Sequence, residues 1–333
     1  MKKLISTASA IIISCAAAAA GPLNPAQVSK NAQWLVHIDL ELLTGSPLGQ
    51  MLLTDEGHLD MSEFQMIKED FGIDLLTDVK SITIYGTSLN DAGPAAQVEV
   101  NRVGVDVGIK TPLEGTAIII ETLDIIDGAL AKAIEEGPDY ETIDGPYRTI
   151  HSWSEGNDRF YASIFPADGD GHRTVAFATN EQRLNDALSV IQGESQSLAQ
   201  SGDGDLAAAP RNGSFVYIEV LDIDALDEFK ARSAMMGGNL GRVALDLGIA
   251  DQVLFASLNL GVDDPERAQQ MVALAKGLIA AVQLANSGDE KLSSLLGIAQ
   301  QLDIQTSDHQ LEATLNLSID DFMQLIQLMN DYD

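Results

Sequence analysis

The sequence predicts an α+β fold built from two related halves, each an antiparallel sheet with helices packed on one face. The first supporting observation is a repeated word. Trp34-Leu35-Val36-His37-Ile38-Asp39-Leu40 reads as a strand with an acidic end running into a helix, and Phe215-Val216-Tyr217-Ile218-Glu219-Val220 reads the same way about 180 residues later. Each word is followed by a Gly-Ile pair, Gly72-Ile73 and Gly248-Ile249, and then by a second strand ending in glycine, Ile82 to Gly86 and Leu258 to Gly261. The second observation is a set of short alternating runs broken by hairpin-turn residues. The third is apolar spacing of helical period between them.

Residues 1–20 stand apart from the fold, and 21–33 form a lead broken by Pro22 and Pro25. The first half covers 34–193. After its opening strand, Leu42, Leu43, Leu48, Met51 and Leu52 suggest short helix interrupted at Gly45-Ser46-Pro47, and Met61 to Asp70 carries Phe64 and Ile67 at helical spacing. Val79 to Tyr85, Ala95 to Lys110 and Thr116 to Leu123 read as strands. Asp124 caps a helix that ends at Gly137-Pro138. Four β segments follow, Tyr140 to Ile143, Tyr147 to Trp153, Arg159 to Phe165 and Arg173 to Thr179, with Asp144-Gly145 and Gly156-Asn157 as turns. Asn180 caps a helix bearing Leu184, Leu188 and Ile191.

Residues 194–212 are poor in bulky apolar side chains and read as a linker or extended surface loop. The second half, 213–333, is expected to use more helix. Asp222 to Met236, Leu240 to Leu247 and Glu290 to Leu302 are expected helices, and Pro265 opens a long one ending near Asn286. Ile304 to Ser307 and Leu311 to Leu317 form a terminal hairpin, and Ser318 caps the last helix.

The N-terminus reads as an export signal. Met1-Lys2-Lys3 is basic, Leu4 to Cys15 is mostly apolar, and Ala16 to Ala20 supplies small residues before Gly21-Pro22. Cleavage after Ala20 is the expected processing. Ile12-Ile13-Ser14-Cys15 offers an alternative, a lipoprotein anchored through Cys15. No later segment has the length and apolarity of a membrane span. Cys15 is the single cysteine, so a chain beginning at Gly21 has no disulfide and no thiolate chemistry. With 333 residues, 45% of them apolar, core burial alone can hold the fold. The net charge of −31 becomes −33 once Lys2 and Lys3 are removed, a surface that repels nucleic acid and anionic lipid headgroups and predicts no nucleic-acid partner.

No catalytic motif occurs: the five histidines lack metal spacing, and no G-x-S-x-G elbow is present. Gly237-Gly238-Asn239-Leu240-Gly241 lacks the Lys-Ser/Thr of a phosphate loop and reads as a break between helices. Four carboxylates are candidate metal ligands. Asp168 and Asp170, in Asp-Gly-Asp-Gly, resemble the start of a calcium loop, but the later ligand positions hold His172 and Thr179, and a hairpin turn explains the same residues. Asp39 and Glu219 sit at equivalent places in the repeated word, where capping of the following helix is the competing account. Strand alternation sets His37 opposite Val36 and Ile38 and so predicts a half-exposed imidazole. Trp34 and Trp153 could form a ligand platform but also suit a core. Met235, Met236, Met271 and Leu274 supply adaptable apolar surface for a lipid or peptide.

In layout the chain is similar to a large class of exported bacterial proteins of unknown role: a signal peptide, an acidic mature chain, a Val36-His37-Ile38-Asp39 strand near its start and tandem α+β units. That resemblance carries no catalytic motif and implies no activity. The expectation is a periplasmic or secreted, non-enzymatic envelope protein with a binding or structural role, its partner a protein or small apolar ligand, and no cofactor beyond calcium. The alternatives are a metal-dependent hydrolase using scattered carboxylates and a periplasmic lipid- or peptide-binding protein.

Overall fold

The computed structural model describes residues 21–52, 68, 73–89, 98–101, 104–107, 115–123, 128, 139–155, 158–169, 171–202, 204–222, 240–262, 264–285, 297–298, 300–307 and 309–322. In chain order its strands are β1 (Trp34–Asp39), β2 (Val79–Gly86), β3 (Val98–Asn101), β4 (Gly104–Val107), β5 (Thr116–Leu123), β6 (Glu141–Asp144) and β7 (Thr149–Glu155). They continue with β8 (Asp158–Ile164), β9 (His172–Ala178), β10 (Ser214–Leu221), β11 (Leu240–Ala250), β12 (Val253–Val262), β13 (Leu302–Ser307) and β14 (Gln310–Ser318). The helices are α1 (Leu40–Gly45), α2 (Pro47–Leu52), α3 (Glu181–Ile191) and α4 (Pro265–Ala285). Two compact units emerge, residues 1–95 with 111–209 and residues 96–110 with 210–333.

In the first unit seven strands run in the order β1-β2-β5-β9-β8-β7-β6, each antiparallel to its neighbours. In the second, five run β13-β14-β12-β11-β10, again antiparallel throughout. The pair β3 and β4 forms a small hairpin, so Ala95 to Lys110 holds two short strands where one was expected.

The expected α+β class is therefore corrected: antiparallel sheet dominates the chain, and helices packed on one face do not define two α+β halves. Leu240 to Leu247 shows why. Its apolar residues were read at helical spacing, yet Val243, Leu245, Leu247 and Ile249 alternate with Arg242, Ala244, Asp246 and Gly248, the period of a strand. This segment is β11, and it pairs with β10 in the place expected for Leu258 to Gly261, which lies in β12.

Local signals explain the elements that do follow the sequence. Asn180 Oδ1 accepts from the Gln182 and Arg183 N–H groups and starts α3, and Asp264 Oδ1 accepts from Glu266 N beside Pro265 at the start of α4. Ser318 Oγ accepts from Asp321 N as expected of a cap. Met61 to Asp70, Asp124 to Glu136 and Asp222 to Met236 fall almost wholly outside the described residues. Glu290 to Leu302 does so too, apart from a few residues at its end, where Leu302 belongs to β13.

In the first unit α3 packs on β5, β8 and β9, with Leu184 and Leu188 fully buried. Each buried leucine of this kind contributes about 1.5–3 kcal/mol. The lead is part of the same core. Val28 is fully buried, Leu198 N donates to Val28 O at 2.9 Å, and Lys30 N donates to Gln196 O at 3.0 Å. Leu206 is also fully buried, so residues 194–209 lie along the lead and pack into this unit. In the second unit α4 covers the end of the sheet, placing Ala268, Met271, Val272 and Ala275 against Leu260, Ile304 and Leu311.

Candidate functional site

The register of β1, β2 and β5 sorts side chains onto two faces of the first sheet. One face carries the cross-strand rows His37–Thr83–Ile119–Ala176 and Asp39–Ser81–Glu121–Thr174. These polar rows lie on the sealed side. His37 is 2% exposed and Asp39 1%, which corrects the expectation of a half-exposed histidine. The expectation took Val36 and Ile38 as the only core-facing side, but α3 and the lead cover the opposite one.

His37 Nδ1 hydrogen-bonds Thr83 Oγ1 at 2.9 Å, Nε2 is buried without a hydrogen-bond partner among the described residues, and the Gly21 backbone lies near the ring. Burial pushes the imidazole pKa down to about 4, so it is neutral at physiological pH; the Gly21 contact opposes that shift. Asp39 caps α1, its Oδ1 accepting from Leu42 N at 2.8 Å. Burial raises its carboxyl to about 6; backbone hydrogen bonds from Leu42 and Gly21 work against the rise, and the charges of Glu41 and Glu121 add to it. Gln27 of the lead donates from Nε2 to Glu121 Oε1 at 3.3 Å, so the lead spans this row.

The second unit repeats this arrangement with different chemistry. Tyr217–Asp246–Ser257–Thr314–Asp303 forms one cross-strand row, and Glu219 lies in the next. Glu219 is fully buried within β10; its partners include the Arg242 guanidinium and the Tyr217 hydroxyl, which donates to Oε2 at 2.9 Å. It is therefore an interior strand residue held by an ion pair, whereas Asp39 ends its strand and caps a helix. Nearby, Arg211 N donates to Asp246 Oδ2 at 2.8 Å, and its guanidinium reaches Glu312 and Thr314 and lies over the Phe255 ring.

The reverse faces are apolar. In the first sheet Val36–Ile84–Ile118–Phe177–Ala162 and Ile38–Ile82–Ile120–Val175–Ile164 run across five strands. Val36, Ile38, Ile82, Ile118, Ile120 and Phe177 are only half-buried. At one end Phe177, Phe160 and Trp153 cluster, with ring centroids 5.6–6.0 Å apart. Trp153 thus joins an aromatic group on this face, while Trp34 is buried against Gly86, where a Cβ would lie 2.4 Å from the indole nitrogen. In the second sheet Ile218–Leu245–Leu258–Ala313–Ile304 runs across the apolar face, with Ile218 and Leu245 half-buried and Leu258 exposed.

A cleft of about 410 Å³ also opens in the first unit, lined by Ser29, Tyr85, Gly86, Arg183, Asp186 and Ser195 among others. Tyr85 is 3% exposed and burial raises the pKa of its phenol, so the cleft offers a neutral hydroxyl beside mixed charges.

Asp168, the other carboxylate candidate among the described residues, does not converge with these groups. Asp168 Oδ1 accepts from His172 N at 2.9 Å in an exposed turn ahead of β9. Asp170 and Cys15 lie outside the described residues, as do Gly237 to Asn239 and His58. Among the described residues no group of three or more His, Cys, Asp or Glu side chains is placed to hold a metal ion. None of the described helices is long and apolar enough to cross a membrane. Sequence reasoning missed Arg242, Arg211 and Asp246, all in or beside a strand that had been read as helix.

No family model matches the chain, and no curated protein matches it. Among solved structures it is similar to two crystal forms of TP0453. Form I gives a TM-score of 0.41 at 9% identity and form III 0.43 at 10%, each covering 93% of this chain and 98% of the other.

Proposed function

We propose that this chain is an exported, non-enzymatic protein of the bacterial envelope that binds an apolar ligand of acyl-chain type on a half-buried sheet face. The observation that carries the reading is the inverted burial of the first sheet, shared in part by the second, whose apolar face α4 covers at its Leu260, Ile304 and Leu311 end. Polar rows such as His37–Thr83 and Tyr217–Asp246 lie on the sealed sides, while isoleucine, leucine and phenylalanine rows keep part of their surface accessible. A sheet that spends its best cover on polar groups and leaves an apolar face partly open has surface to gain by binding an apolar chain. The buried carboxylates support a structural role, since Asp39 caps a helix and Glu219 pairs with Arg242. The layout of residues 1–20 supports export.

The test is direct. Protein purified from its native envelope is extracted with organic solvent and the extract analysed by mass spectrometry, and the delipidated protein is titrated with a fluorescent fatty acid. Co-purified lipid and saturable binding, weakened in Ile118→Asp or Leu258→Asp without loss of cooperative unfolding, are the expected results. A lipid-free extract together with no saturable binding sinks the reading.

A further inference from the structure

Gly21, the residue after the expected cleavage point, is buried in the first unit. A Cβ added to it would lie 3.1 Å from the Cβ of Ser81, the cross-strand partner of Asp39, and its backbone is near enough to the Asp39 carboxylate to favour the charged form. Asp39 is 1% exposed, and the charged neighbours that act on it, Glu41 of α1 and Glu121 of β5, are both negative. Lys80 of β2 lies 3.6 Å from Glu41 and serves that carboxylate, while His37, on the same face as Asp39, is neutral. Burial and like charges favour the neutral acid, so a cation at close range is what would hold this carboxylate ionised. The atom best placed to supply one is the Gly21 nitrogen.

We infer that signal cleavage after Ala20 turns the Gly21 nitrogen into an α-ammonium that forms a buried ion pair with Asp39, so that export processing itself completes the core of the first unit. In this step a signal peptidase hydrolyses the Ala20–Gly21 bond: water adds hydroxyl to the Ala20 carbonyl carbon, and the amine leaves with a proton and takes up a second from solvent. Before cleavage the same nitrogen offers Asp39 one neutral N–H; afterwards it offers a full charge and up to three donors. The inference is independent of any ligand, so it can fail while the proposed binding function stands, and the reverse holds equally.

The experiment begins with the N-terminus of the exported protein, read by mass spectrometry; Gly21 is expected, and a lipidated Cys15 overturns the inference. Mature chain beginning at Gly21, produced by tag removal, is then compared with the same chain acetylated at Gly21 or extended by one alanine. Blocking is expected to lower the melting temperature by roughly 2–4 °C, the shift that about one kcal/mol makes in a domain of this size. The difference should fade as pH rises through the amine's pKa, which pairing raises above its ordinary value of about 7.7–8.0. In Asp39→Asn, whose amide still caps α1, free and blocked chains should melt alike. Equal melting of free and blocked wild-type chains, or an undiminished difference in Asp39→Asn, refutes the pair.

Discussion

Replacing His37 by glutamine isolates one buried titration. The imidazole is 2% exposed, and burial holds its pKa at about 4 against an ordinary 6.5. In the unfolded chain the same group takes up its proton as pH falls below about 6.5, while the native state resists until about 4. The unfolded state then binds more protons, so native stability is fully present above 6.5 and declines as pH falls toward 4. At about 1.36 kcal/mol per unit of pKa difference, the loss amounts to about 3 kcal/mol by pH 4. Other carboxylates titrate in that window, so the informative quantity is the difference in unfolding free energy between parent and His37→Gln, measured by urea denaturation from pH 7.5 to 4. Asp39 is present in both proteins, so its own titration largely cancels. At high pH the variant is the weaker protein, because it disturbs a packed site and the contact with Thr83. Its disadvantage should shrink by about 3 kcal/mol on acidification, as the parent alone loses stability through His37. A difference that stays constant across this range would show that His37 takes up its proton in the native state as readily as in the unfolded chain and would refute the lowered pKa.

Three further outcomes follow from the geometry. Arg242→Ala should cost about 3–5 kcal/mol in urea unfolding because it strands the fully buried Glu219, whereas Glu219→Gln should cost less, since Arg242 is 29% exposed in its side chain and can hydrate; the reverse order counts against the ion pair. Gly86→Ala should destabilise by about 1–3 kcal/mol, because the new Cβ meets the Trp34 indole at 2.4 Å; the readout is the melting temperature together with the tryptophan emission maximum, and unchanged values refute the packing. Asp168→Ala should cost about 1 kcal/mol or less, because the turn hydrogen bond and the His172 contact it removes are exposed, and calcium should leave the melting temperature unaltered in both parent and variant.

The strands were legible wherever alternation or turn chemistry was local. The run from β6 to β9 and the hairpin of β13 and β14 lie within a few residues of their expected bounds because each is fixed by neighbouring residues in the chain. Segment β11 was misread because Leu240, Val243, Ala244 and Leu247 satisfy helical spacing as well as Val243, Leu245 and Leu247 satisfy alternation, and only pairing with β10 and β12 decides between them. Helical propensity is a weak prior against ten paired positions along β12.

The candidate site was harder to read, for a related reason. Alternation reveals that His37 and Asp39 share a face, but not which face the rest of the chain covers. Hydrophobicity pointed to Val36 and Ile38 as the sealed side, and the fold seals the other. The lead accounts for this: its composition, with Pro22 and Pro25, gave no sign that Leu23 and Val28 would be buried or that Gly21 would reach Asp39. A carboxylate pointing inward is tolerable only with partners, and for Asp39 those come from Leu42 three residues ahead and Gly21 eighteen residues behind. The first of these is a capping signal visible in the sequence. The second depends on a loop closing over a sheet, which no periodicity encodes. The repeated word therefore marks equivalent strand positions with different solutions to one problem. Asp39 is held by a helix N-terminus and the chain's own lead, Glu219 by an arginine and a tyrosine, and in each sheet the alternating apolar residues face the other way.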